Sequence, residues 1–167
     1  MLLIYTGNGK GKTSASVGQA IRALGQGLTV YFGQFMKRPE QAGEQKILAT
    51  LLNERFLACG AGFFRKEEER PTHREAALHL LQWATAHLDT ADMIILDETL
   101  YALGSGLLTQ QEITTLLDAA ERAGTHVVLS GRGLPDWLRE RADLVTEMME
   151  IKHPYNLGER AGKGIEY

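Results

Sequence analysis

The sequence has 167 residues, 44% hydrophobic and 23% charged, which is the composition of one globular domain (residues 1–167) with enough chain for a full core. A formal net charge of −3 gives no electrostatic ground for nucleic acid or an anionic membrane as partner. The lone Cys59 excludes an internal disulfide and suits a reducing compartment. No apolar run approaches the ~20 residues of a membrane span, and "MLLIY" lacks the basic start of a signal peptide, so a cytoplasmic protein is expected.

The first apolar run, Leu2–Tyr5, reads as a strand and runs into "TGNGKGKT", Thr6–Thr13. A phosphate-binding loop needs a strand that ends abruptly, small residues whose amides converge on an anion, and a helix N-terminus behind them. Gly7, Gly9 and Gly11 supply the small residues around Asn8 and Lys10, and Lys12 and Thr13 open a helix whose stripe is Val17, Ile21 and Leu24. Lys12 would neutralise phosphate oxygens, Thr13 would ligate Mg²⁺, and Lys10 adds charge. Thr6 stands where such a loop usually begins with glycine.

Further along, Leu28–Phe35, Arg55–Ala58, Met93–Leu96, Val127–Leu129 and Leu144–Met149 are short apolar runs that suit strands buried on both faces of a parallel sheet. Between them lie helical patterns. One opens at a Thr72–Glu75 capping box after Pro71, a second at a Thr109–Glu112 box ending at Gly124, and a short one has Pro135 in its first turn. "RKEEER", Arg65–Arg70, reads as a solvated loop or helix start, Leu100–Leu108 as an apolar loop offering a dimer interface, and His73 and His79 as solvated side chains. This alternation predicts an α/β three-layer sandwich with a mostly parallel central sheet of about six strands, of the P-loop NTPase type.

The run "MIILDE" would carry Asp97 and Glu98 to the carboxyl edge of the sheet, where open α/β folds bind ligands and where either carboxylate can hold Mg²⁺ directly or through water. No Asn-Lys-x-Asp guanine element and no Arg-rich lid accompany it, and although Glu98 could activate water, nothing else singles out a general base or a hydroxyl acceptor. From the residues alone the chain is a Mg-nucleotide enzyme of the P-loop class. ATPase or kinase chemistry yielding ADP, and a non-catalytic nucleotide-binding module, both stay open.

"YTGNGKGKT", "GQFMK", "LDE", "SGRG" and the tail "KHPYNLGERAGKGIEY" together resemble the P-loop ATP:corrinoid adenosyltransferases, from about Leu2 to Tyr167. The resemblance implies transfer of the 5′-deoxyadenosyl group of ATP to the cobalt of a reduced corrinoid, with release of triphosphate and with Mg²⁺ or Mn²⁺. It also implies ATP reversed in the cradle, so that the loop holds a leaving group, a flavoprotein reductant for cob(I), and a homodimer. Carried over residue by residue, Gly7–Thr13 form the ATP loop, and Lys12, Thr13 and Glu98 carry catalysis. Thr13 and Glu98 ligate the metal, with Asp97 behind them, and Arg22, Lys37, Glu44 and Arg132 contact triphosphate or nucleoside. Two features depart from the family pattern. Members carry a helical extension ahead of the first strand, whereas this sequence begins almost at the strand. Their Gly-Phe-Thr-Trp stretch is Gly62-Phe63-Phe64-Arg65 here, and the resemblance assigns Phe63 and Phe64 to the corrinoid.

Overall fold

The computed structural model describes residues 1–62 and 66–166. Six strands, β1 (Leu2–Thr6), β2 (Val30–Gln34), β3 (Phe56–Ala58), β4 (Met93–Asp97), β5 (His126–Ser130) and β6 (Leu144–Glu147), form one sheet in the order β3-β2-β4-β5-β1-β6. Every pairing is parallel. All five residues of β2 and of β4 are buried, as expected where helices cover both faces of a strand.

The two faces carry separate cores. Val30, Phe32, Met93, Ile95 and Val128 pack under α1 (Lys12–Gly25) and α2 (Gly43–Leu52). Ile4, Ile94, Leu96, Val127 and Leu129 pack on the other side, under α3 (Arg70–Ala86) and α5 (Gln110–Ala123), together with α4 (Thr99–Gly104) and Leu138 of α6 (Asp136–Arg141). Alternate residues of β1, β2, β4 and β5 thus feed opposite cores, whereas edge strand β6 is exposed. The expected sandwich, strand count and parallel sheet are all present.

Four local readings are corrected. Helix α3 starts at Arg70, not at the Thr72 box. Pro71 falls in its first turn, where a missing N–H costs nothing, and Thr72 lies inside the helix. Pro135 is the residue before α6, not part of its first turn. Leu100–Leu108 is no open loop: α4 takes up its first half, and Leu100, Leu107 and Leu108 point into the chain's own core, which removes the reason to read it as a dimer interface. His73 is buried, whereas His79 is exposed as expected. The Thr109 box stands as read, with Glu112 N donating to Thr109 Oγ1 at 3.3 Å.

Candidate functional site

The loop after β1 turns through Gly7 (φ 99°) and ends at Gly11 (φ 119°), the residue before α1, two left-handed positions that glycine adopts without strain. Gly9 is required for a different reason. The chain leaving β6 crosses the loop, with Met148 N donating to Thr6 O at 2.8 Å and Gly9 N to Met148 O at 2.7 Å. A Cβ on Gly9 would lie 2.7 Å from Met149 O, and one on Gly7 2.4 Å from Met148 O. The Lys12 ammonium reaches back across the loop to the carbonyl oxygens of Gly7 (2.8 Å) and Gly9 (2.7 Å). Burial, and next the Arg132 charge, push its pKa down, opposed by Glu98 and Asp97.

At the end of β4 the fully buried Asp97 is surrounded by donors. Thr13 Oγ1 approaches its two oxygens at 3.0 and 3.2 Å, Gln34 Nε2 at 3.1 Å, Ser130 Oγ at 2.5 Å and Lys37 Nζ at 3.2 Å. Lys37 also donates to Glu44 Oε1 at 2.8 Å. Burial pushes the Lys37 ammonium down, but Asp97 and Glu44 outweigh it and hold the pKa above the ordinary value. Burial pushes Glu44 up, and the hydrogen bond and charge of Lys37 override it, leaving the carboxyl below its usual range. Both groups are therefore held charged.

Glu98 takes a left-handed conformation (φ 63°, ψ 20°) unusual for a residue with a side chain. Its amide donates to Ser130 Oγ at 3.1 Å. Burial, and then the charge of Asp97, raise its pKa against Lys37, Lys12 and Arg132. Thr13, Asp97 and Glu98 form a hard oxygen set of the kind that takes Mg²⁺ when substrate phosphates complete the shell. Among the described residues no group of three or more His, Cys, Asp or Glu side chains could hold a metal ion unaided, so the fit depends on phosphate oxygens.

Lys12, Thr13, Lys37, Glu44 and Glu98 open onto a cavity of about 750 Å³, with Asp97 buried behind them. Lys10, Lys12, Lys37 and Arg132 give it a cationic wall, with Gly9, Gly11, Thr13, Glu44 and Glu98 beside them. Val17, Tyr101, His153 and Ile165 also line it. The structure thus brings together most of the residues expected from sequence. Gly7, Asn8, Arg22 and the buried Asp97 do not line this cavity; Asn8 and Arg22 are exposed, and Arg22 lies in the last turn of α1. Phe63 and Phe64 fall outside the described residues. Sequence reasoning missed Gln34, Gln45, Ser130 and Tyr101. A polar residue closing a buried strand was the available signal for Gln34 and Ser130.

The model of the family described as ATP:corrinoid adenosyltransferase BtuR/CobO/CobP matches residues 1–167. The corrinoid adenosyltransferase of Pseudomonas aeruginosa is 36% identical over 172 residues, covering 100% of this chain and 83% of the relative. That of Escherichia coli K12 is 34% identical over 169 residues, covering 100% and 85%. Corrinoid adenosyltransferase CobA of Salmonella typhimurium is 33% identical over 169 residues, with the same coverage of 100% and 85%.

Proposed function

Because the chain belongs to the ATP:corrinoid adenosyltransferase family, we propose that it transfers the 5′-deoxyadenosyl group of ATP to the cobalt of a cob(I) corrinoid and releases triphosphate. The observation that supports this reading is a cradle built to hold phosphate charge, in which Glu98 faces the same cavity and is assigned to the metal rather than to a proton. Lys10, Lys12, Lys37 and Arg132 face one cavity, while Glu44 is tied to Lys37 and Asp97 is saturated by donors. Activating a hydroxyl or a water needs a base in reach of its proton. A cobalt(I) nucleophile carries its own electron pair and needs none.

The bond that forms is Co–C5′ and the bond that breaks is C5′–O5′. The cobalt pair enters the new bond, cobalt rises formally from I to III, and the triphosphate leaves with the old pair. Lys12 and the amides at the start of α1 would meet the charge that grows on the leaving oxygens, with ATP reversed in the cradle so that triphosphate is the group held. Arg132 and Lys10 would neutralise the outer phosphates, and Tyr101 and His153, which also line the cavity, would receive the nucleoside. Mg²⁺ or Mn²⁺, held by Thr13 and Glu98 with Asp97 behind them, would supply further charge neutralisation on the phosphates. Arg22 and Asn8 would act outside this cavity, and Phe63 and Phe64 at the corrinoid. A flavoprotein would generate cob(I). The chain would act in the cytoplasm as a homodimer, a reading supported by the exposed Leu144 and Val145 of edge strand β6. ATPase, kinase and pure binding-module readings find no support among the named relatives.

The test is anaerobic incubation with MgATP and chemically reduced cob(I)alamin, following the cobalt–carbon spectrum and identifying the phosphate product. Adenosylcobalamin with triphosphate is expected. ADP, or no cobalt–carbon bond from a protein that binds ATP, overturns the reading.

A further inference from the structure

Behind the Asp97 carboxylate lie two buried amide side chains that the transfer chemistry leaves unused. Gln34, at the end of β2, is 0% exposed and Gln45, in the first turn of α2, is 3% exposed. Gln34 Nε2 donates to Asp97 Oδ2 at 3.1 Å and to Glu44 Oε1 at 3.4 Å. Gln45 Nε2 donates to Gln34 Oε1 at 2.9 Å and to Arg38 O at 3.1 Å. Gln45 Oε1 accepts the amides of Gln41 (2.7 Å) and Ala42 (3.2 Å).

The polarity of this chain of bonds is fixed at both ends. An ionised carboxylate only accepts and a backbone amide only donates. Gln34 must therefore turn its NH₂ toward Asp97 and Glu44, and its carbonyl can be met only by the NH₂ of Gln45. That leaves the Gln45 carbonyl for the amides at the start of α2. Turning either side chain over would set carbonyl against carboxylate, or NH₂ against N–H, in a buried place where unmade bonds are costly.

We propose that Gln34 and Gln45 are positioning residues forming a one-way amide relay, which couples the carboxylates of the phosphate site to the 38–42 segment at the start of α2. That segment matters because Arg38 and Gln41, with Gly62 and His73, wall a second cavity of about 650 Å³. Charge placed on Thr13 and Asp97 is felt at Gln34, and through Gln45 at the amides of Gln41 and Ala42. The coupling is reciprocal, so order imposed on 38–42 steadies Asp97 and Glu44. The inference rests on the proposed role of Thr13, Asp97 and Lys37 at the nucleotide, and neither glutamine touches substrate in it.

The experiment is hydrogen exchange at the Gln41 and Ala42 amides with and without MgATP, on the wild type and on Gln34→Met, which cuts the link but leaves Gln45 to cap the amides. MgATP is expected to slow exchange at both amides in the wild type and to leave them unchanged in the variant. Steady-state transfer by Gln34→Met and Gln45→Met should each fall about tenfold in kcat/KM, the double variant falling no further than either, since the relay acts as a unit. Should Gln34→Met fail to unfold cooperatively, Gln45→Glu carries the same comparison, because it keeps volume and amide caps but offers Gln34 an acceptor. Equal MgATP protection in wild type and variant, no MgATP effect in the wild type, or additive losses each overturn the proposal. Absence of adenosyl product from the wild type would sink the proposed reaction alone, because the exchange comparison needs only ATP and Mg²⁺.

Discussion

Ser130, the last residue of β5, donates its hydroxyl to Asp97 Oδ1 at 2.5 Å across the neighbouring strand β4, while its oxygen accepts the Glu98 amide at 3.1 Å. One hydroxyl thus orients a buried carboxylate and pins the residue after it in a left-handed turn. Ser130→Ala removes a charge-assisted bond and leaves the Glu98 amide without this partner, at a cost of about 1–3 kcal/mol. The expected outcome is a fall in kcat of about tenfold or more, with the thermal midpoint lowered by several degrees. Ser130→Thr should recover part of both. Unchanged kinetics would mean that Asp97 is held by its other donors alone.

Glycine substitutions should separate space from conformation. Gly9→Ala sets a methyl 2.7 Å from the Met149 carbonyl oxygen, a backbone atom that cannot swing away, so nucleotide binding and transfer should both be lost. Gly18→Ala, mid-helix with nothing within 4 Å, should instead stabilise by about 0.5–1 kcal/mol with activity intact. Thermal unfolding beside ATP binding by calorimetry tests the pair.

The pairing of Arg74 with Glu112 makes an acid-stability prediction. The Arg74 guanidinium, through hydrogen bonds that include Nη1 to Oε2 at 2.8 Å, holds the Glu112 carboxyl down to about 2. A folded pKa below the unfolded value near ~4.3 means that the contribution is complete above that pH and is lost as pH falls toward the folded value. Urea midpoints measured down through this window should fall for the wild type and change less for Glu112→Gln. The Gln variant should be the less stable of the two at neutral pH by roughly 1 kcal/mol.

Lys12→Ala should abolish transfer while leaving the fold, because the ammonium's contacts are to two loop carbonyls and not to the core. Glu98→Gln is expected to raise the Mg²⁺ concentration for half-maximal activity by about tenfold or more, with KM for the corrinoid unchanged. Metal titrations at saturating ATP give the answer. A loss through the corrinoid KM instead would place Glu98 at the acceptor.

The sheet and the loop were legible because their signals are local. Met93–Asp97 is an apolar run ending in acids, and Thr109 with Glu112 is a four-residue box that closes on itself. What stayed hidden depends on neighbours far along the chain. Nothing near Gly9 announces Met148, 139 residues away, and nothing near Gln45 announces Gln34 across the β2–α2 connection. Leu100–Leu108 misled for a related reason: apolar side chains on either side of two glycines look unpartnered until the fold turns them inward over the sheet. The Thr72 box was overruled because Pro71, harmless in a first turn, let the helix begin earlier.

The crossing of the Gly9 loop by residues 148–149 has a consequence for solubility. All four residues of β6 are exposed, and the strand is paired only to β1, so its outer rim is a template on which another chain could add a strand. Two backbone bonds, to Thr6 and Gly9, lead the polypeptide off that rim and across the nucleotide cradle, which keeps the ladder short. An anion settled on the loop would stiffen this exit as well, so aggregation through the sheet's open border is expected to fall when ATP is added.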